Sequence, residues 1–298
     1  MIRTALLTSC LGLWLAAQTP APAPATSSMT VYGWVQGANG LPEKKLDPAD
    51  YELLVDGVAQ PLLSVTPRQQ PASVIVLFDT SRSTAWPERP LDDQIAEFAS
   101  ALDPANHLMI ATVGARSSFP PFATASRDVR AEVRRALDVG HDDGYGNSPI
   151  WDAVNNAVTL LARQSPPRAV LLLTDGRGTG NEIGMADVAD HAMANGVTVT
   201  VVLRNSAQWI RQQGGTAALV QPGVPIQSFT TFTGGMYFTY PEQQPDAARK
   251  MFSFVAAAID SMHAFSFALA PDGSPHRIQI RTATPQLTPH LPLAFVAR

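Results

Sequence analysis

Four stretches of the chain are apolar at nearly every position: Val74 to Phe78, Leu108 to Val113, Arg168 to Thr174 after its first residue, and Val197 to Leu203. Uninterrupted apolar strands are those covered on both faces. Between them the period changes. Leu91, Ile95, Phe98 and Leu102 recur at helical spacing, with Pro87 and Pro90 ahead of or just inside the helix start, where a missing N–H costs little. Val129, Val133 and Leu137 mark a second helix, and Ile150, Val154, Ala157 and Leu161 a third within Ser148 to Leu161. Met185 to Ala194 reads as a helix stopped by Asn195-Gly196. Met236 to Tyr240 reads as a last strand and Asp246 to Met262 as a last helix. Phe119 to Ala123, with its prolines, suits a short edge strand. Gln208 to Ser228 is rich in Gly, Gln and Pro and reads as irregular. Strands alternating with helices predict an α/β fold with a doubly wound, mainly parallel central sheet and helices on both faces.

Both ends of the chain follow the other period. Val31, Tyr32, Trp34 and Val35 form one strand; Tyr51 to Val55 forms another, and Asp56-Gly57 turns it into Val58 to Val65. After the last helix, Ala264 to Ala270 and His276 to Arg281 alternate around Asp272-Gly273, and Leu293 to Val296 closes the series. The expected organisation is an N-terminal β segment at 29–70, an α/β domain at 73–262 and a C-terminal β segment at 263–298. The two flanks are expected to pair into one small sheet module.

The first residues have the order of an export signal. Arg3 is followed by a mostly apolar stretch from Ala5 to Ala17, too short to span a bilayer, and then by small residues. Cleavage is expected between 17 and 25, ahead of a Pro/Ala/Ser-rich linker that runs to Ser28. Leu7-Thr8-Ser9-Cys10 has the form of a lipoprotein box. Only Thr4 to Leu7 precede it as an apolar run, which argues against lipidation. Cys10 is the one cysteine, so the mature chain would have no disulfide and no thiol chemistry. An exported chain of this kind suits a bacterial periplasm or exterior.

The full chain has 298 residues, 45% of them hydrophobic and 15% charged, with a net charge of −4. A large core is therefore possible. The absence of a Lys/Arg cluster argues against nucleic acid or an anionic membrane as partner.

The candidate chemistry lies where the first buried strand ends, at Asp79-Thr80-Ser81-Arg82-Ser83. Carboxylate and hydroxyl oxygens at alternate positions suit a hard divalent cation, and the carboxyl edge of an open α/β sheet is where ligands bind. The six histidines are scattered and show no metal-ligand pair, and no G-x-S-x-G elbow is present. Asp142-Asp143-Gly144 lacks the spacing of an EF-hand loop. No base–nucleophile pair can be named, so no enzyme is expected.

Asp79-Thr80-Ser81-Arg82-Ser83 resembles the D-x-S-x-S signature of the metal-ion-dependent adhesion site (MIDAS) of von Willebrand factor type A (VWA) domains. Two further segments resemble the same family in order and spacing: Gly146-Asn147-Ser148-Pro149-Ile150-Trp151-Asp152-Ala153, with Ser148 in place of the usual Thr, and Leu171-Leu172-Leu173-Thr174-Asp175-Gly176. Thr233-Gly234-Gly235 also resembles it. The flanking segments Asp50 to Gly57 and Asp272 to Ile278 resemble exported VWFA-related proteins of acidobacteria. The resemblance implies a VWA, Rossmann-like fold. It implies a metal held by Asp79, Ser81, Ser83, Ser148 and Asp175, with the carboxylates acting directly or through water. Mg²⁺ is the first expectation, and Mn²⁺ or Ca²⁺ would accept the same oxygens. It further implies a protein partner whose Asp or Glu completes the shell. Trp86, Tyr145 and Asp143 are expected on the rim, and Asp152 is read as structural. The alternative is an envelope accessory component that binds constitutively and whose metal only stiffens the loops.

Overall fold

In the computed structural model, the described residues run from 28 to 298 except 82, 85, 87, 115, 126, 143–146 and 205–222. The expected export signal, Tyr145, Asp143 and most of Gln208 to Ser228 lie outside them.

Six strands make the central sheet: β5 (Ser73–Asp79), β6 (His107–Val113), β7 (Ala123–Thr124), β8 (Arg168–Thr174), β9 (Val197–Leu203) and β10 (Tyr237–Thr239). Their order is β10-β9-β8-β5-β6-β7. All neighbours are parallel except β6 and β7, which are antiparallel. β5 is buried along its whole length because its alternate residues enter two different cores. Val74, Val76 and Phe78 pack toward α1 (Glu88–Ala101), α2 (Arg130–Asp142) and the last helix, Pro245–Asp260. Ile75 and Leu77 pack toward α3 (Ile150–Leu161), α4 (Met185–Ala194) and α5 (Gly223–Phe232). The last helix is therefore α6. The expected stripes Leu91/Ile95/Phe98/Leu102 and Ile150/Val154/Ala157/Leu161 are buried throughout. The fold is α/β, with a mainly parallel sheet covered on both faces.

Three local expectations are corrected. Of the proposed edge strand only Ala123 pairs with β6, together with Thr124 just beyond it, since Pro120 and Pro121 have no N–H to give the ladder. Of the stretch taken as irregular, 223–228 is helical, forming the start of α5. Pro61 divides the strand expected over Val58 to Val65 into β3 (Val58–Gln60) and β4 (Leu62–Pro67).

The flanks build two sheets rather than one. β1 (Ser28–Gln36), β4, β11 (His263–Ala268) and β13 (Thr288–His290) form one, ordered β13-β1-β11-β4. β2 (Tyr51–Val55), β3, β12 (Pro275–Thr282) and β14 (Ala294–Val296) form the other, ordered β14-β12-β2-β3. Val31, Leu53, Val65, Phe265, Phe267 and Ile278 share one core between them. The Arg68 guanidinium joins this layer to the central domain, pairing with Asp260 at 2.9 Å. Asn106 donates to the same Asp260 oxygen at 2.8 Å. Among the described residues, no helix is long and apolar enough to cross a membrane.

Candidate functional site

β5 and β8 are neighbours in parallel register, so their last residues open on the same sheet edge. Asp79 ends β5, and Thr174-Asp175 ends β8. The Asp79 side chain is fully buried and accepts three hydrogen bonds. Its Oδ1 accepts from the Ser81 N–H at 3.0 Å and the Ser148 hydroxyl at 3.1 Å. Its Oδ2 accepts from the Thr174 hydroxyl at 2.7 Å. Ser81 Oγ lies 3.1 Å from Ser83 Oγ and 3.0 Å from Thr84 Oγ1. Asp79, Ser81, Ser83 and Ser148 thus belong to one network of oxygens.

Ser148 is held from both sides of its backbone. Its N–H donates to Thr179 Oγ1 at 3.0 Å, and its carbonyl accepts from the Thr179 N–H at 2.9 Å. α3 begins two residues later behind Pro149, without a side-chain cap. The hydroxyl points to Asp79 instead of capping the helix. Asp152 accepts from the Glu182 and Ile183 N–H groups at 2.9 to 3.0 Å, which ties α3 to the loop after β8. That is a structural role.

Asp175 is 1% exposed. Its Oδ1 accepts from the Arg177 N–H at 3.0 Å, while Oδ2 has no hydrogen-bond partner. Arg177 Nε lies 4.0 Å from Oδ2. Burial first, and then the neighbouring Asp79 carboxylate, push the Asp175 pKa up; hydrogen bonds from Arg177 and Ser83 act against this. Two buried carboxylates of like sign thus face each other through a cluster of hydroxyls. Among the described residues no three His, Cys, Asp or Glu converge as a metal-binding group.

Trp86 does not lie on the rim. It is 5% exposed, donates its indole N–H to the Asp79 carbonyl at 2.9 Å and packs edge-on against Tyr240 at 5.5 Å. The Arg204 guanidinium stands 5.8 Å over its ring. An indole with a hydrogen-bond partner beneath the loop is more favourable inside than out. Sequence reasoning missed Thr174 and Thr84 as members of the network. The signal for Thr174 was a hydroxyl residue directly before the strand-end Asp. Thr84 carried none beyond its nearness to Ser83.

The central sheet thus carries Asp79 at the carboxyl end of β5 and Asp175 directly after β8, on one edge of an α/β fold. Among solved structures the chain is similar to the von Willebrand factor type A protein from Catenulispora acidiphila, at 11% identity over 92% of this chain and 75% of that one, TM-score 0.49. It is also similar to an aerotolerance-related membrane protein from Bacteroides fragilis, at 16% identity over 62% of this chain and 98% of that one, TM-score 0.45. A third similarity is to proximal thread matrix protein 1 of the mussel byssus, solved with a zinc-occupied MIDAS motif. There the identity is 17% over 66% of this chain and 48% of that one, TM-score 0.44. These are likenesses of fold. No protein-family profile and no curated protein matches the chain.

Proposed function

We propose that this chain is an exported protein-binding module that grips an acidic group of a partner through a divalent cation. Asp79, Ser81, Ser83, Ser148 and Asp175 would hold the ion, with Mg²⁺ as the first candidate and Mn²⁺ or Ca²⁺ acceptable to the same oxygens. The cation would supply an electrophilic centre on which a partner's Asp or Glu completes the coordination. The protein's part is to fix the oxygens and keep the remaining ligands neutral, so that a further anion is still attracted.

The observation that carries this reading is Asp175 Oδ2, a buried carboxylate oxygen with no hydrogen-bond partner, beside a second buried carboxylate. A buried carboxylate that burial and a like charge destabilise, answered at Oδ2 only by a guanidinium at 4.0 Å, is under-compensated, and a bound cation would remove that cost. Ser148 supports the same reading, because its hydroxyl is turned toward Asp79 and away from the helix it could cap. No base–nucleophile pair accompanies these groups, and the reading needs no bond breaking.

Calorimetric titration of Mn²⁺ or Mg²⁺ into the wild-type chain and into Asp79→Ala tests the metal. One saturable site in the wild type, absent from the variant, is expected. Capture of a protein from an envelope extract, lost both with EDTA and in Asp79→Ala, tests the partner. Capture that survives both would establish the constitutive accessory role instead.

A further inference from the structure

A well-formed cleft that the site above does not use lies on the seam between the central domain and the flanking sheets. It has a volume of about 800 Å³, within the range of small-molecule sites. One wall comes from β10 and α6, through Met236, Phe238 and Phe254. The other comes from β1 and β13, where Trp34 and His290 lie stacked with ring centres 4.1 Å apart and planes within 2°. Phe254 meets the same indole edge-on at 5.6 Å.

Two features of the lining point to a ligand. The first is that Trp34 Nε1 and His290 Nε2 are both buried without a hydrogen-bond partner. Buried donors and acceptors are nearly always paired, so two orphans in one wall call for an explanation. The second is Lys250, the one charged side chain among the described residues lining the cleft. It is exposed and makes no ion pair among the described residues, whereas its neighbour Arg249 is paired with Glu97 and Asp246.

We infer that this cleft binds a small amphipathic anion, of the class of an aromatic or other apolar carboxylate. The apolar body would lie against Phe238, Phe254 and Met236. Its acceptor oxygens would satisfy the indole N–H once the wall opens to admit them, and Lys250 would select for negative charge. Burial keeps His290 on the neutral side, so the imidazole contributes a hydrogen-bonding group and Lys250 the charge. Strand addition by a peptide is the weaker reading. The two edge strands at the cleft, β10 and β13, are three residues each, and Pro289 in β13 has no N–H. Too few ladder bonds are on offer.

The test uses the full chain and 1-naphthoate, with the uncharged 1-naphthylmethanol beside it. The five indole N–H resonances are followed by NMR, that of Trp34 being assigned by its loss in Trp34→Phe. Saturable displacement of the Trp34 resonance by 1-naphthoate is expected. Lys250→Gln, an exposed change, should weaken the carboxylate by about fivefold, the size of one solvent-exposed charge contact, and leave the alcohol unchanged. Thr231→Trp, placed on an exposed lining position, should block both. No displacement at millimolar 1-naphthoate overturns the inference, as does equal binding of acid and alcohol in wild type and Lys250→Gln. So does binding of an acetylated valine-rich tetrapeptide where 1-naphthoate fails, which would establish strand addition.

Discussion

The Ser148 hydroxyl donates to Asp79 Oδ1 at 3.1 Å, joining the start of α3 to the end of β5 across 69 residues of sequence. The contact is buried at both ends, and it is the point where the second loop meets the first. Removing the hydroxyl leaves a buried carboxylate with one donor fewer. Ser148→Ala should therefore cost about 1–3 kcal/mol in chemical denaturation. It should also weaken Mn²⁺ binding, while Ser148→Thr, which keeps the oxygen and stiffens χ1, should retain both. A Ser148→Ala protein of unchanged stability would show that this contact holds nothing in place.

Asp175 offers the converse test. Its carboxylate is buried beside that of Asp79, a like-charge pair whose strain a cation relieves. Asp175→Asn should raise the thermal midpoint measured in EDTA and abolish the rise that Mg²⁺ gives the wild type. At a metal concentration a hundredfold above Kd, that rise corresponds to about 2.7 kcal/mol. A variant less stable than wild type in EDTA would mean that the repulsion is already compensated.

Much of this site is legible in the sequence because its carriers are buried strands. β5, β8 and β9 are covered on both faces, so their residues are mostly apolar and their ends can be read directly. Asp79 and Asp175 follow from those ends. Trp86 does not, because a loop indole reads the same whether it faces solvent or donates to a carbonyl beneath it. The two flanking sheets were hidden for a different reason. Val31 pairs with Phe265 and Leu53 with Ile280, and nothing in a period of two states which distant strand a given strand will choose.

His276 gives the chain a pH dependence away from the candidate metal site. Its Nδ1 lies 2.7 Å from Asp56 Oδ2 and its Nε2 3.1 Å from Asp272 Oδ1, joining the start of β12 to the turn before it and to the turn between β2 and β3. The hydrogen bonds that the imidazole gives to the two carboxylates raise its pKa, that to Asp56 first. A histidine whose folded pKa is raised stabilises fully below its unfolded value, and that stability fades as pH climbs through the folded value. The difference in unfolding free energy between wild type and His276→Gln should thus be larger at pH 5.5 than at pH 8.5. It should stay within about 1 kcal/mol, as for solvent-accessible ion pairs. A difference that grows with pH would refute the assignment.

Arg177 forms an ion pair with the Asp175 oxygen that accepts no hydrogen bond, with Nε at 4.0 Å from Oδ2 and a third of the side chain exposed. Its charge partly serves the carboxylate that a metal would serve better. A divalent ion entering the cluster must share Asp175 with this guanidinium or displace it, and either costs binding free energy. Arg177→Gln keeps the backbone N–H that Asp175 Oδ1 accepts from and removes the guanidinium charge. Mn²⁺ should accordingly bind the variant more tightly, by roughly threefold to tenfold, the worth of a partly exposed charge contact. The gain should shrink as added salt screens the guanidinium in the wild type. Weaker binding in Arg177→Gln would instead make the arginine a support of the loop, holding Asp175 in place for the ion.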